Sequence, residues 1–530
     1  MASTPSRLRS IGSTVALHLS KHTGVGIVCA VAYFDPGNWA VDLQAGICSD
    51  YGFRLLFVVL MAGLFAAFLQ TQATRLGCVT GLDLASHCRV FLYDRPKHKL
   101  FYRRAVLYPL YALSEVAIIA TDLAELLGSA IALVLLFPKL ELWHGVLITA
   151  FDVILLLALR DPLRGTPVRM FEGLIAALVL AVFVCMIIVI VRVDVRWADA
   201  FQGFLPSKTV FGSSALYTSV GILGATVMPH SLFLGSTLAT QNRLSSATLA
   251  PLEKSDPQPL VKRAKEFLAS SFRTPPPSPH TTRAKRHGER ENNSLVFIEA
   301  HLSHAKFDVV GSLLGFAVLI NSMILVISAM VFFYGHDPAL GDKEATSLFD
   351  VYDVINDLVG KGAATLFAVA LLAAGQSSSL IATVAGQAVA EGFLNWRVSP
   401  IIRRLLTRLI AVIPSMAVAI ALGRSGIDAL LVASQVILAI VLPFIILPLV
   451  YFTSSKPVMR VRKTSPQSTL CETPQLEDGG RVLSEAAVEA GEGETVDYSS
   501  GKIATGVGVV IWLIVFAANV YVLATLIRDA

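Results

Sequence analysis

Residues 24–47 read GVGIVCAVAYFDPGNWAVDLQAGI, with Asp35-Pro36-Gly37-Asn38 in the middle of an otherwise apolar run. About 20 helical residues cross a ~30 Å hydrocarbon core, so the run is long enough to span a bilayer. Asp35 lies eleven residues from Gly24, about 16 Å deep at about 1.5 Å of rise per residue. Asp, Pro, Gly and Asn are poor helix continuers, and here they are consecutive. The helix is expected to unwind there and free backbone carbonyls that lipid cannot satisfy. Such a break survives only where protein packs around it or a polar cavity meets it. A carboxylate at that depth costs several kcal/mol unless it is paired or liganded. A buried cation site answers both demands.

The rest of the chain is built for the same environment. Of 530 residues, 54% are apolar and 15% charged, with a mean hydropathy of +0.66; soluble chains carry about 25% charged residues. We place spans at 24–47, 53–77, 105–137, 143–159, 170–193, 211–240, 305–335, 363–389, 404–423, 427–452 and 503–526. A soluble protein with buried helices would need only one or two such runs. The six cysteines show no paired spacing, which excludes a CxxC metal or redox centre. Residues 1–20 lack the apolar core of a cleaved signal.

Charge sets the expected orientation. The connections 78–104, 160–169 and 241–304, each after an even number of spans, are rich in Arg and Lys, whereas the odd ones are short or poor in them. The positive-inside rule then puts the N-terminus in the cytoplasm and the C-terminus outside or in a lumen. The sequon Asn292-Asn293-Ser294 would be cytoplasmic and carry no glycan. Residues 245–296, with Pro275-Pro276-Pro277 amid basic residues, and residues 455–501, rich in Ser, Glu, Gly and Thr, are expected to be unstructured linker.

The sixth span repeats the anomaly of the first. Residues 220–231 read VGILGATVMPHS, so Met228-Pro229-His230 falls near mid-span. Pro229 removes a helical donor and disrupts the turn before it. Spans 1 and 6 are five apart and must run in opposite directions. Two broken helices at corresponding places in two five-span halves point to an inverted-repeat transporter with its site at the midplane. The expected organisation is an N-terminal tail (1–23), a first repeat (24–193), a second repeat (211–452) interrupted by a basic cytoplasmic loop (241–304), a linker (453–502) and an eleventh helix (503–526).

The candidate ligands are the Asp35 carboxylate, the Asn38 amide oxygen, carbonyls freed near Ala225 and the Met228 thioether. Hard oxygens alone suit Mg²⁺ or Ca²⁺. A thioether favours polarisable transition ions, so the mixed set selects Mn²⁺, Fe²⁺, Co²⁺ and Cd²⁺. A lone Met is ordinarily core filler; its place beside a helix-breaking proline argues otherwise. In span 3, Glu115, Asp122 and Glu125 share one face, Asp122 about 20° and Glu125 about 80° from Glu115. Intramembrane acids on one stripe suggest an ion or proton path, and His230 can carry protons too. The competing reading is structural ion pairing with Arg403, Arg404 or Arg408 at the start of span 9, strongest for Glu115. Gln376, Gln387 and Gln435 are polar residues inside spans, whose default role is interhelical hydrogen bonding.

These motifs together resemble the Nramp (natural resistance-associated macrophage protein) family. Asp35-Pro36-Gly37-Asn38 and Met228-Pro229-His230 resemble its signature pair. Gln70 to Gly81, Ala120-Thr121-Asp122-Leu123-Ala124-Glu125, Ala374-Gly375-Gln376-Ser377-Ser378, Ala385-Gly386-Gln387 and Ser434-Gln435 resemble its spans 2, 3, 8 and 10. The resemblance covers spans 1 to 10. It implies an all-α polytopic membrane protein of eleven transmembrane helices: a LeuT-like 5+5 inverted repeat plus one extra helix. It implies proton-coupled import of Mn²⁺ or Fe²⁺ by alternating access, with no enzymatic activity. It places metal binding on Asp35, Asn38, Met228 and the Ala225 carbonyl, joined by Gln435 in some conformations. It places proton handling on Asp35, His230, Asp122 and Glu125, with Arg403 or Arg404 near the exit. Many members have Asn and His where this chain has Ser231 and Gly235, which removes one proton carrier and suggests a simpler path.

No cofactor is expected, since the metal is cargo. The expected partners are divalent metal ions, protons and the lipid bilayer, with no nucleic acid; the 241–304 loop is the place for regulatory partners. A plasma membrane or a vacuolar or endosomal membrane would supply the proton gradient. A sodium-coupled amino-acid transporter on the same fold is disfavoured because Asp35 would repel a substrate carboxylate. A sensor or receptor would need a folded output domain that neither polar segment resembles. A passive divalent channel is disfavoured by acids buried at a broken helix.

Overall fold

A computed structural model describes residues 18–47, 51–150, 169–244, 287, 290–334, 347–395, 399–463 and 494–529. The first span is split: α1 (Val25–Val31) ends at Ala32 and α2 starts afresh at Pro36, running to Ile47. Next come α3 (Leu56–Thr80), a short α4 (Leu84–Leu92), α5 (Tyr108–Leu136), α6 (Leu142–Ala150) and α7 (Arg169–Arg192). The sixth span is split into α8 (Ser213–Thr226) and α9 (Pro229–Leu238). The rest are α10 (Leu295–Phe333), a short α11 (Leu348–Leu358), α12 (Lys361–Leu394), α13 (Pro400–Ala421), α14 (Gly423–Ser454) and α15 (Lys502–Asp529). Among the described residues, eight helical segments are long and apolar enough to cross a membrane, and Leu405–Ala421 is a shorter apolar one. The second half of the fourth span, 151–159, lies outside the described residues, as do residues 1–17 and most of the 241–304 loop.

The broken pairs sit at the centre. α1 packs on α10 and α7, and α2 on α10 and α8, while α9 lies between α3 and α12. α5, which carries the three acids, packs on α12, α14 and α13. α15 packs mainly on α14, at the edge of the bundle. Its window is only 28% buried, against 83% for the Lys99–Leu136 segment, as suits a helix outside the two repeats.

Two boundaries differ most from the sequence reading. The seventh span begins at Leu295, ten residues before the predicted 305. Ser294 caps it, its hydroxyl accepting from Phe297 N–H. A hydropathy window misses these turns because they carry Glu299, His301, His304 and Lys306. The stretch expected as linker from 453 to 502 is ordered at both ends. Strands β1 (Arg460–Arg462) and β2 (Thr495–Asp497) pair antiparallel, Val461 opposite Val496. Ser500 N–H donates to Thr453 O at 2.8 Å, and residues 464–493 lie outside the described residues. Asn292, the sequon residue, donates its amide to Val458 O (2.8 Å) and Arg460 O (2.7 Å). That nitrogen is engaged in packing.

Candidate metal site

Covalent chemistry creates both breaks. Pro36 and Pro229 carry no N–H, so the carbonyls four residues earlier, Ala32 and Ala225, lose their helical donors. Pro at the first helical position is compatible with starting α2 and α9. Between α8 and α9 the chain is non-helical: Val227 has φ −94°, ψ 84° and Met228 φ −75°, ψ 119°. The Ala225 carbonyl is therefore freed where the thioether of Met228 is also found. Both residues are buried.

At the first break Asp35 is fully buried. Its Oδ1 accepts from Asn38 N–H (2.9 Å) and from Asn38 Nδ2 (2.5 Å), an arrangement that caps α2. Asp35 Oδ2 and Asn38 Oδ1 have no hydrogen-bond partner among the described residues. Gln435 of α14 closes the same space. A Cβ on Gly37 would overlap the Gln435 amide, so only glycine permits that approach. Gln435 Oε1 is likewise buried and unpartnered among the described residues. Three acceptor oxygens, from Asp35, Asn38 and Gln435, are thus left unsatisfied around one helix break. Buried acceptors without donors are rare and costly, and a cation is the ligand that removes the cost.

The two breaks are joined by hydroxyls. Ser231 Oγ lies 2.7 Å from Tyr33 Oη and 2.8 Å from Met228 O, its single proton serving one of them at a time. Tyr33 O–H donates to Gln70 Oε1 at 3.1 Å, and Asn321 Nδ2 donates to Tyr33 O at 2.8 Å. Where Gly235 departs from the Asn/His pattern, the Gln70 amide fills the space that a side chain there would occupy. A neutral amide stands at that point of the bundle.

The acids of α5 are distributed along α12 and α13. Glu125 Oε1 accepts from Ser378 O–H at 2.6 Å. Asp122 Oδ1 pairs with Arg408 Nη1 at 3.0 Å, and Arg408 Nη2 donates to Ser379 Oγ at 2.6 Å. Both partners are buried, with side chains 4% and 2% exposed. Glu115 holds Arg403 through both carboxylate oxygens, at 2.6 and 2.7 Å. Arg404 is on the same helix, and its side chain lies outside what the structure describes. His230 Nδ1 is 3.3 Å from Thr121 Oγ1, while its Nε2 is buried without a partner among the described residues. The expected residues thus fall into two groups: Asp35, Asn38, Ala225, Met228 and Gln435 at or against the breaks, and the acids of α5, whose Thr121 lies against His230. Glu115 and Asp122 each meet an arginine of α13.

Sequence reading missed Thr226, Tyr33 and Asn321 at the breaks. Thr226 ends α8, and its hydroxyl is buried with no partner among the described residues. Each was visible only as a polar residue next to a break or inside an apolar run. The described residues hold no cluster of three or more His, Cys, Asp or Glu suited to a metal. A cation held at the breaks would meet one carboxylate, Asp35, with amide oxygens from Asn38 and Gln435.

Comparison with known proteins places the chain in a family. Residues 26–471 match the family described as natural resistance-associated macrophage protein-like. The chain is 40% identical over 508 residues to the manganese transporter pdt1 of Schizosaccharomyces pombe, covering 96% of this chain and 85% of that one. It is 34% identical over 525 residues to the iron transporter SMF3 of Saccharomyces cerevisiae, covering 96% and 97%. A crystal structure of a mutant of the Eremococcus coleocola manganese transporter superposes with a TM-score of 0.67 at 27% identity, covering 94% of this chain and 84% of that one. The chain is a multi-pass integral membrane protein and belongs to the Nramp family, whose members are transporters and not enzymes.

Proposed function

We propose that this protein is a proton-coupled secondary transporter that imports divalent transition-metal ions, Mn²⁺ or Fe²⁺ with Co²⁺ and Cd²⁺ also admitted, by alternating access. The observation that carries the reading is the set of unsatisfied oxygens from Asp35, Asn38 and Gln435 at the break of the first span. The Ala225 carbonyl and Met228 sulfur, from the other break, complete the donors. Asp35 supplies the charge that attracts the ion. The thioether disfavours Ca²⁺ and Mg²⁺, which bind oxygen almost exclusively.

Asp35 and His230 exchange protons at the site. Asp122, Glu125 and Glu115 carry them along α5, with Arg403 and Arg404 toward the exit. The N-terminus is cytoplasmic and the C-terminus extracellular or lumenal, by the charge of the connections. The membrane is one across which protons are pumped: plasma, vacuolar or endosomal. Asp35, Asn38, Met228 and Gln435 are each at most 1% exposed, so loading and release require the packing around one break or the other to open in turn.

The test is uptake into proteoliposomes. Mn²⁺ should enter faster with an inward proton gradient, Ca²⁺ should enter little, and Asp35→Ala should abolish uptake. Normal Mn²⁺ transport by Asp35→Ala would remove the ligand set on which the reading stands.

A further inference from the structure

Four histidines gather where the start of the first span meets the first turns of α10. His18 Nδ1 lies 3.2 Å from His304 Nδ1. The His22 ring stacks on His304 with centroids 4.4 Å apart and 15° between planes. It meets His301 edge-on at 5.4 Å. His22 is 2% exposed, and its Nε2 has no partner among the described residues.

The bonding requires a neutral His301 and at least one neutral ring at the His18–His304 contact. His301 Nδ1 lies 2.8 Å from Phe297 O and must donate there. Its Nε2 accepts from Arg243 N–H at 3.1 Å. Both nitrogens of His301 are spoken for, one as donor and one as acceptor, so protonation would cost the Arg243 bond. At the His18–His304 contact one nitrogen must accept, so two imidazolium rings cannot meet there. A cationic His22 would stack face to face on its neighbour.

The surrounding charges are positive on balance. Arg243 Nη1 donates to Thr23 O at 3.4 Å, and Arg169 Nη2 donates to Lys21 O at 2.7 Å. Glu172 pairs with both arginines. Asp308 accepts from Gly26 N–H at 2.6 Å. Arg243 is the cation beside His22, and the acids Glu172 and Asp308 are both already engaged.

We propose that His18, His22, His301 and His304 form a second proton-binding site, a latch that clasps the start of α1 to α10 while neutral and releases it when protonated. Release opens the path from the central site toward the N-terminal side of the membrane. The proposal rests on the alternating-access reading above, and its readout needs no metal.

The sign follows from burial. His22 is pushed down to about 4 by burial first and then by His304, His301, Arg243 and His18; His18 is lowered too, by burial and His304. A solvated imidazole titrates near 6.5. Between about pH 6.5 and about 4 the released state therefore holds more protons than the clasped one, so acid favours release; outside that window the balance is flat. One ring moving from about 4 to about 6.5 shifts the equilibrium about tenfold between pH 7.5 and 5.5.

The experiment is amide hydrogen exchange of the metal-free full chain in nanodiscs at pH 7.5 and 5.5, corrected for intrinsic rates. Protection of residues 25–31 should fall about tenfold at the lower pH in the wild type. It should fall less than about twofold in His22→Phe/His304→Phe, which keeps the ring stacking and removes the titration. Should that pair not fold, His304→Phe alone should weaken the response. Equal pH dependence in wild type and variant overturns the latch, as does flat protection in the wild type. Failure of Mn²⁺ uptake would sink the transport reading instead.

Discussion

Ser231 Oγ lies 2.7 Å from Tyr33 Oη, so a hydroxyl three residues past Met228 touches a phenol two residues before Asp35. The two halves of the chain meet at their irregular backbone. Each break leaves carbonyls without helical donors, and each is tolerable in a membrane because the other packs beside it. The proposed donor set combines residues that are 193 positions apart in sequence, Asp35 and Met228. Neither half alone offers both the carboxylate and the sulfur.

That combination leads to a selectivity test. Met228→Ala should keep Mn²⁺ uptake within about threefold and raise Ca²⁺ uptake about tenfold or more, because the remaining oxygens suit a hard ion. Competing uptake of the two ions in proteoliposomes measures it. A variant that still discriminates as the wild type does would assign the filter to something other than sulfur.

The Asp122–Arg408 pair makes a stability prediction. Both groups are buried, and Arg408 also donates to Ser379. Removing one partner of a buried pair leaves an uncompensated charge and costs about 3–5 kcal/mol. Arg408→Met should accordingly lower the thermal midpoint in detergent sharply. Asp122→Asn/Arg408→Met should recover most of the loss, since no lone charge remains. A double variant as unstable as the single one would show that packing of the arginine, not charge, is what matters.

Glu125 on α5 accepts a hydrogen bond from the Ser378 hydroxyl at 2.6 Å. Glu125→Gln keeps an acceptor for that hydroxyl and removes the titrating group. The ratio of Mn²⁺ uptake at external pH 5.5 to that at pH 7.5 should fall to about one, with the half-saturating Mn²⁺ concentration changed less than about threefold. Unchanged pH dependence would count against Glu125 as a carrier.

How far the sequence carried these conclusions depends on whether the signal was local. Asp35-Pro36-Gly37-Asn38 and Met228-Pro229 announce their breaks because proline acts on its own turn. The register of α13 on α5 is not local: Arg403, Arg404 and Arg408 were equal candidates until packing paired Arg403 with Glu115 and Arg408 with Asp122. The β1–β2 pairing was invisible, since three-residue strands in a polar stretch bury little and find each other only in space. The histidine cluster is similar, with His18 and His304 separated by 286 positions. The start of α10 was readable from its Ser294 cap, but polar turns hid it from hydropathy.

Gly37 gives the sharpest steric test of the site. Its Cβ-free backbone allows the Gln435 amide to sit against the break, and a methyl group would overlap that amide. Gly37→Ala must displace Gln435 or shift α2. Either change moves an acceptor oxygen away from Asp35 and Asn38; disturbing even a group that supports a metal's ligands costs about 10- to 100-fold in affinity, so a loss of at least about 10-fold is expected. Gln435→Ala alone should weaken Mn²⁺ binding to a similar degree, because it deletes the same oxygen. The double variant Gly37→Ala/Gln435→Ala should then be no worse than Gln435→Ala, since the clash has gone and the ligand was already absent. Calorimetric titration of Mn²⁺ into the three purified variants decides the point. Strictly additive losses would mean that Gly37 serves the backbone of the break and not the approach of Gln435.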